Sequence, residues 1–489
     1  MSLSTKKSRI TDPIGDPGHM SIEEFRKNGY AAIDWLCDYF ERIESYPVLS
    51  KVKPGQIKSS LPSLPPKNAE PFSRIMEDLD EVILPGITHW QAPGFFGYFP
   101  ANASPPSILA EIFSAGLGVQ GMLWLTSPSC TELEILVLDW IVEMMALPEM
   151  FKSSGLGGGV IQDSASSAVL CAVIAARELT KTRAATEGVQ SRLIGYCSEE
   201  AHSSVEKAFA IAGLGRENLH KIPSDSDGAL VDSNLEEQIA LDLSEGLRPF
   251  FICGTVGSTS TLSCDPIKKL GQLADLNDCW LHVDSAMAGT AAVCPEFRYL
   301  NDGIELADSY CFNPHKWMLT NFDCNCFYVK DKKTLISALS ILPEYLRNPR
   351  VLDRPVVDFR DWQIPLGRRF RALKLWFVIR SYGVDGIREY LRGHVKIASK
   401  FASWVEAEKD FEVTSYTGLN LVCFRVKGND SINEKLLNKI NETGSIFLSH
   451  TVINGRFSLR LCVGQVRVSE QTVSQAWEVI KICASGIET

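Results

Sequence analysis

The 489-residue chain carries 49 Lys+Arg against 59 Asp+Glu, a formal net charge of −10 at pH 7, with 45% hydrophobic and 22% charged residues. This composition excludes a mainly disordered chain and allows a large buried core. The acidic balance argues against nucleic acid or an anionic membrane as the main partner.

The first twenty residues read as a flexible arm: they hold basic residues but no apolar run, so they form no secretory signal. The longest uncharged stretch, Ile112 to Thr131, is interrupted by Gly116, Gly118, Gly121 and Pro128 and reads as buried core rather than a membrane span. The 14 cysteines include no C-x-x-C pair, which points to reduced, buried thiols and a cytoplasmic protein. No H-E-x-x-H zinc motif occurs.

From Ser21 to about Ser45 apolar residues recur at helical spacing. Val52 to Asn68 holds four prolines and reads as an extended connector. Residues 1–90 thus form a helical region too thin to bury its own apolar face, so it packs on another domain or subunit. Thr131-Glu132-Leu133-Glu134 reads as a capping box opening an apolar helix to about Leu147. Candidate strands follow at Leu193–Cys197, Phe250–Cys253, Trp280–Val283, Ser309–Phe312 and Cys326–Val329. Helical patterns lie between them at Ser203–Ala212 and Pro266–Leu276, the second capped by Asp265. Such alternation predicts an α/β domain over 91–380: a mainly parallel sheet with helices on both faces and its site at the carboxyl ends of strands. Residues 381–489 read as a small α+β domain with strands near Glu412–Tyr416, Leu421–Val426, Ile446–His450 and Phe457–Leu461. Asn454-Gly455 marks a hairpin turn there, and a last helix covers about Gln471–Ala484.

Three constellations could carry chemistry. Gly157-Gly158-Gly159 leads through Asp163, Ser164, Ala165 and Ser166 into an apolar helix, the pattern of a glycine-rich turn offering N–H and hydroxyl donors to a phosphate. Alone it fits equally a simple helix cap. Asp284 ends a buried strand in His282-Val283-Asp284, where a carboxylate needs a cationic partner, either a structural ion pair or a cofactor ring nitrogen. Lys316 in Asn313-Pro314-His315-Lys316-Trp317 follows another strand; it is either a snorkelling lysine or a desolvated amine suited to Schiff-base chemistry. Together the three match the needs of pyridoxal 5′-phosphate: a phosphate cradle, a carboxylate for the ring nitrogen, and an amine for the aldehyde.

With Tyr98-Phe99-Pro100, Ala201-His202-Ser203-Ser204 and Trp362-Gln363-Ile364-Pro365-Leu366-Gly367-Arg368 added, the chain resembles the pyridoxal-phosphate-dependent aromatic L-amino acid decarboxylases over roughly residues 20–485. The resemblance implies the type I pyridoxal-phosphate fold of the aspartate aminotransferase kind. It also implies a homodimer with an intersubunit site that residues 1–90 help to wrap. Lys316 would bind the cofactor and Asp284 would hold its ring nitrogen. Ala286 would lie against the ring, Ser164, Ala165, Ser166 and Asn313 would hold the phosphate, and Thr255 would lie near the cofactor linkage. His202 would stack on the ring; Pro100 and His315 would line the substrate site. Ile341–Phe359 reads as a lid, and the family's lid tyrosine falls at Tyr345, which would protonate the substrate Cα.

The reaction implied is decarboxylation of tryptophan, tyrosine, dopa or phenylalanine to the arylalkylamine. The alternatives are an aromatic aldehyde synthase, against which Tyr345 and His202 count, and a non-catalytic binding member of the fold. Ser285, Met287 and Met122 depart from the family pattern; Met122 lies in a segment that serves the partner's substrate pocket. Gly367 leaves room for a bulky ring and disfavours histidine.

Overall fold

The computed structural model describes residues 19–181, 187–189, 192–340 and 356–487. A seven-stranded sheet is built from β1 (Gly158–Gln162), β2 (Leu193–Ser198), β3 (Leu219–Ile222), β4 (Arg248–Thr255), β5 (Trp280–Asp284), β6 (Ser309–Phe312) and β7 (Asn325–Val329). Its spatial order is β1-β7-β6-β5-β4-β2-β3. Neighbouring strands from β6 to β3 run parallel, whereas β7 is antiparallel to both β6 and β1.

Every residue of β2, β5, β6 and β7 is buried. Helices cover both faces, so these strands read as unbroken apolar runs. On one face Cys197, Phe251, Cys311 and Phe327 pack with Ala168, Ala172 and Ala176 of the helix Ala165–Leu179. On the other, Ile252, Leu281, Tyr310 and Tyr328 pack with Leu138 and Ile141 of Pro128–Met145 and Leu270 of Ile267–Leu276.

A second, antiparallel sheet in the order β10-β11-β9-β8 comprises β8 (Phe411–Tyr416), β9 (Leu421–Val426), β10 (Ser449–Ile453) and β11 (Arg456–Cys462). Asn454 and Gly455 join β10 to β11 with φ of 49° and 72°, the left-handed pair that a two-residue hairpin turn requires. Trp477 of the last helix, Glu470–Ser485, packs here against Phe401, Phe411 and Phe424.

Three local expectations are corrected. The run Gly157–Gly159 is no turn: Gly158 and Gly159 open β1, and a Cβ on Gly159 would meet the Tyr328 ring at 2.7 Å, so close strand packing explains its glycine. The turn before the helix is at Asp163, with Ser164 as N-cap accepting from the Ser167 N–H at 3.3 Å. Thr131 is no N-cap either. The helix Pro128–Met145 is capped by Ser127, and Glu134 lies inside it. Asp265 caps no helix: its side chain accepts from the backbone N–H groups of Leu230 (2.9 Å) and Thr255 (2.8 Å), and the helix starts at Ile267.

The N-terminal helix Ile22–Arg42 carries a capping box between Ser21 and Glu24, and none of its residues is buried. The connector holds a short helix, Gln56–Ser60. Among the described residues no helix is long and apolar enough to cross a membrane. Twelve cysteines are buried, Cys264 is half-buried and Cys37 is exposed; all are free thiols.

Candidate active site

The carboxyl ends of β4, β5 and β6 deliver Thr255, Asp284 and, one residue past β6, Asn313 to one place. The helix Ala165–Leu179 points its N-terminus there, bringing Ser164, Ala165 and Ser166. A cavity of about 210 Å³ is lined by these residues together with His202, Ala286, His315 and Lys316. The site therefore lies where strand ends of an open α/β sheet place ligands.

Lys316 follows Asn313 on a single turn, Pro314–Trp317, whose start is fixed by proline. Trp317 beneath it is fully buried. Among the described residues no hydrogen bond or ion pair engages the Lys316 Nζ; it sits 4.9 Å from the centre of the Phe99 ring. Burial lowers its pKa from the usual lysine value, with the Asp284 charge opposing. A half-buried amine of lowered pKa, facing a cavity, is a nucleophile in waiting.

Asp284 accepts from the Ala286 N–H at 3.1 Å through Oδ1. Thr255 is fixed in both directions by Asp265, whose N–H donates to the Thr255 carbonyl and whose carboxylate receives the Thr255 N–H. The Asn325 side chain donates to the Asn313 Oδ1 at 2.6 Å and so orients that amide.

Two histidines close the cavity. His202 Nδ1 accepts from the Ser204 N–H at 3.2 Å, so the neutral ring carries its proton on Nε2. Its pKa is lowered by burial first, with Asp284 opposing and Lys316 assisting. His315 Nδ1 accepts from the Cys324 N–H at 2.9 Å, which fixes the same tautomer. Burial, then the charges of Lys316 and Lys374, pushes His315 down to about 3.

Ten of the residues singled out from the sequence thus meet in one cavity. Pro100 is buried beside it, next to Phe99 and against Gly464. Met122 and Gly367 do not line the cavity. Their segments lie side by side instead: the Gly121 N–H donates to the Arg368 carbonyl at 3.1 Å, and the Arg368 N–H donates to the Gln120 side chain at 2.6 Å. Tyr345 lies outside the described residues. Phe99, Gly257 and Thr259 also line the cavity. Phe99 stands in a motif that sequence reasoning quoted without giving it a role; Thr259 gave no signal beyond lying four residues after Thr255.

An amine, a carboxylate at the neighbouring strand end, and hydroxyl and amide groups at a helix N-terminus form a set suited to an anionic, ring-bearing electrophile. The family described as the pyridoxal-dependent decarboxylase conserved domain matches residues 54–427. The chain is 45% identical over 471 residues to tyrosine decarboxylase 2 of Narcissus pseudonarcissus, covering 94% of each chain. It is 44% identical to phenylacetaldehyde synthase of Arabidopsis thaliana, covering 95% of this chain and 97% of that one. Its fold is similar to the Oryza sativa TDC solved with PLP and tryptamine, with a TM-score of 0.93 and 38% identity over 95% of this chain and 98% of that one.

Proposed function

The chain belongs to the pyridoxal-dependent decarboxylase family, and on that premise we propose that it converts an aromatic L-amino acid to the arylalkylamine and carbon dioxide. The observation that carries this reading is the single cavity that brings together Lys316, which among the described residues has no hydrogen-bonded or ion-paired partner, the Asp284 carboxylate and the helix N-terminus at Ser164–Ser166. This donor set fits pyridoxal 5′-phosphate end to end. Bound there, the cofactor supplies a sink for the electron pair left on the substrate Cα when carbon dioxide departs.

The chain's own residues do the rest. Ser164, Ser166, Asn313 and the helix N-terminus hold the phosphate, where the helix dipole favours negative charge. Lys316 Nζ would make the covalent link to the cofactor, and the burial that lowers its pKa favours the neutral amine this needs. Asp284 holds the proton on the ring nitrogen. His202, which lines the cavity, would stack on the ring. Ala286 leaves room for the ring, Thr255 borders the linkage, and His315 and Pro100 border the substrate. Tyr345 delivers the proton that replaces the carboxyl group at Cα.

Homodimerisation completes the site in this reading. The helix Pro105–Leu117 leaves Leu109, Ile112, Phe113 and Leu117 exposed, and Leu125, Ile364 and Leu366 continue the apolar surface. A patch of this kind marks a protein interface. Met122 and Gly367 lie in the same region, so they serve the cavity of a second copy.

Product analysis tests the reaction. The protein, supplied with pyridoxal phosphate and in turn with tryptophan, 5-hydroxytryptophan, tyrosine, dopa and phenylalanine, should release one amine per carbon dioxide and consume no oxygen. Aldehyde with ammonia and peroxide would make it an aldehyde synthase; absence of bound cofactor would make it a binding protein.

A further inference from the structure

Behind Asp284 runs a chain of buried polar groups that the reaction as described does not use. Trp280 Nε1–H donates to Ser309 Oγ at 2.8 Å. Ser309 Oγ lies 2.8 Å from His282 Nδ1. On the far side of the ring His282 Nε2 lies 3.8 Å from Cys311 Sγ, and that sulfur lies 3.8 Å from Asp284 Oδ1. Ser309, His282 and Cys311 have no exposed surface, and the imidazole is flanked by the Phe251 and Phe327 rings.

The proton positions follow from the donors. An indole nitrogen only donates, so Ser309 Oγ accepts from Trp280. Among the described residues the remaining partner of the Ser309 hydroxyl is His282 Nδ1. A proton on Nδ1 would leave that hydroxyl hydrogen buried without an acceptor, at a cost of order 1–3 kcal/mol. Nδ1 therefore accepts, and the neutral ring carries its proton on Nε2, facing the Cys311 sulfur. Burial holds His282 down at about 4, so the ring is neutral near pH 7. Burial and the neighbouring Asp284 charge push the Cys311 thiol well up, so its S–H remains to be donated. The other titratable groups that interact with Asp284 are Cys253, Tyr310, His202 and Lys316.

We infer that Trp280, Ser309, His282 and Cys311 form a one-directional hydrogen-bond relay whose last member, Cys311, positions the Asp284 carboxylate. The thiol and the Ala286 N–H both end on Oδ1. Among the described residues Oδ2 takes no protein donor, which leaves it for the cofactor's ring N–H. The relay explains why a tryptophan, a serine and a histidine are buried around a strand that ends in a catalytic carboxylate. It rests on the proposed cofactor reading, because Asp284 must face a ring nitrogen for its orientation to matter.

The test is a double-mutant cycle on cofactor affinity rather than turnover. Apoprotein, Ser309→Ala, Cys311→Ala and the double variant are each titrated with pyridoxal phosphate, followed by absorbance and by tryptophan fluorescence. Ser309→Ala frees the imidazole to turn its acceptor nitrogen toward the thiol and draws the S–H away from Asp284. Each single variant should weaken binding by about tenfold, the loss of one hydrogen bond to a charged group. The double variant should bind no more weakly than either single one. Unchanged affinity in a single variant, or losses that multiply, would overturn the relay while leaving the cofactor reading intact. Failure of the unaltered protein to bind pyridoxal phosphate would overturn that reading instead. Neutron diffraction of the unaltered protein decides independently of how the variants fold: deuterium on His282 Nε2 is expected, and deuterium on Nδ1 refutes the relay.

Discussion

At the scale of single residues, burial sets the chemistry by setting charge. Among the described residues no hydrogen bond or ion pair ties up the Lys316 amine, which lies 4.9 Å from the Phe99 ring centre, so an arriving aldehyde meets no bonded competitor there. Borohydride reduction of the cofactor-loaded protein followed by peptide mapping should place the cofactor on Lys316; a label on another lysine would refute the assignment. The buried histidines act on stability. His282 sits at about 4 and His315 and His394 at about 3, all by burial. Each is neutral in the folded chain but takes up a proton near pH 6.5 once unfolded. Stability is therefore fully present above about pH 6.5 and falls as the pH drops toward 4, by about 1.4 kcal/mol per pH unit for each such group. His394 Nδ1 accepts from the Trp317 Nε1–H at 3.0 Å. His394→Asn keeps an acceptor there and removes one titration. The unfolding midpoint measured between pH 4 and 6 should then change less steeply with pH than in the unaltered protein; an identical slope would contradict this account.

Elements are held in register by polar pairs that link distant segments. Arg368 grips Glu134 through two hydrogen bonds, 2.6 and 3.1 Å long, and also donates to the Ile161 carbonyl at 2.9 Å. Glu134 in turn receives the Ile161 N–H at 2.7 Å, so one buried pair ties the Gly367 loop to β1 and the helix Pro128–Met145. Glu134→Ala leaves a buried guanidinium unpaired and should cost about 3–5 kcal/mol, whereas replacing both partners with Met should recover much of it. Equal midpoints for the single variant and the unaltered protein in denaturant would show the pair to be incidental. This pair also shows where the sequence stops being legible. The Thr131–Glu134 tetrapeptide has the form of a capping box, and Glu134's partner lies 234 residues away. Strands β2, β4, β5, β6 and β7 were readable because burial on both faces makes them apolar runs. The strand β1 was not, because its glycines are there for close packing, and neither was the short β3. Ser164, Ser166, Asp284 and Lys316 were readable because each carries a chemistry needed at a strand end or helix start, whereas Ala165, Thr255, Ala286, Asn313, His202 and His315 were reached only through the family resemblance. Phe99 and Thr259 reach it only through the fold. Gly367 remains a specificity candidate on local grounds: its φ is outside the left-handed region, and an added Cβ would come no nearer than 3.4 Å to the Gln120 side chain. Gly367→Ser should keep the fold and change the ratio of kcat/KM between tryptophan and tyrosine. A uniform loss with lower stability would show the glycine to be structural.

For the whole molecule, the unsatisfied surface decides the working unit. No residue of the helix Ile22–Arg42 is fully buried, and Phe25 and Tyr30 on it are about two-thirds exposed. The helix Pro105–Leu117 adds Phe113 at 55% and Leu117 at 62% exposure. Burying each such side chain is worth about 1.5–3 kcal/mol. In the dimer proposed above, such side chains would supply the apolar contact between two copies. Met122 and Gly367 lie outside their own chain's cavity, so in the proposed dimer association and substrate choice would be coupled. Phe113→Glu combined with Leu117→Glu places charges where apolar contact is required and touches no residue of the cavity. The double variant should sediment as a monomer, keep its helical circular dichroism, and lose most decarboxylase activity. A dimer that persists would show that this surface is not the interface, and a monomer that turns over at the full rate would show that each chain carries a complete site.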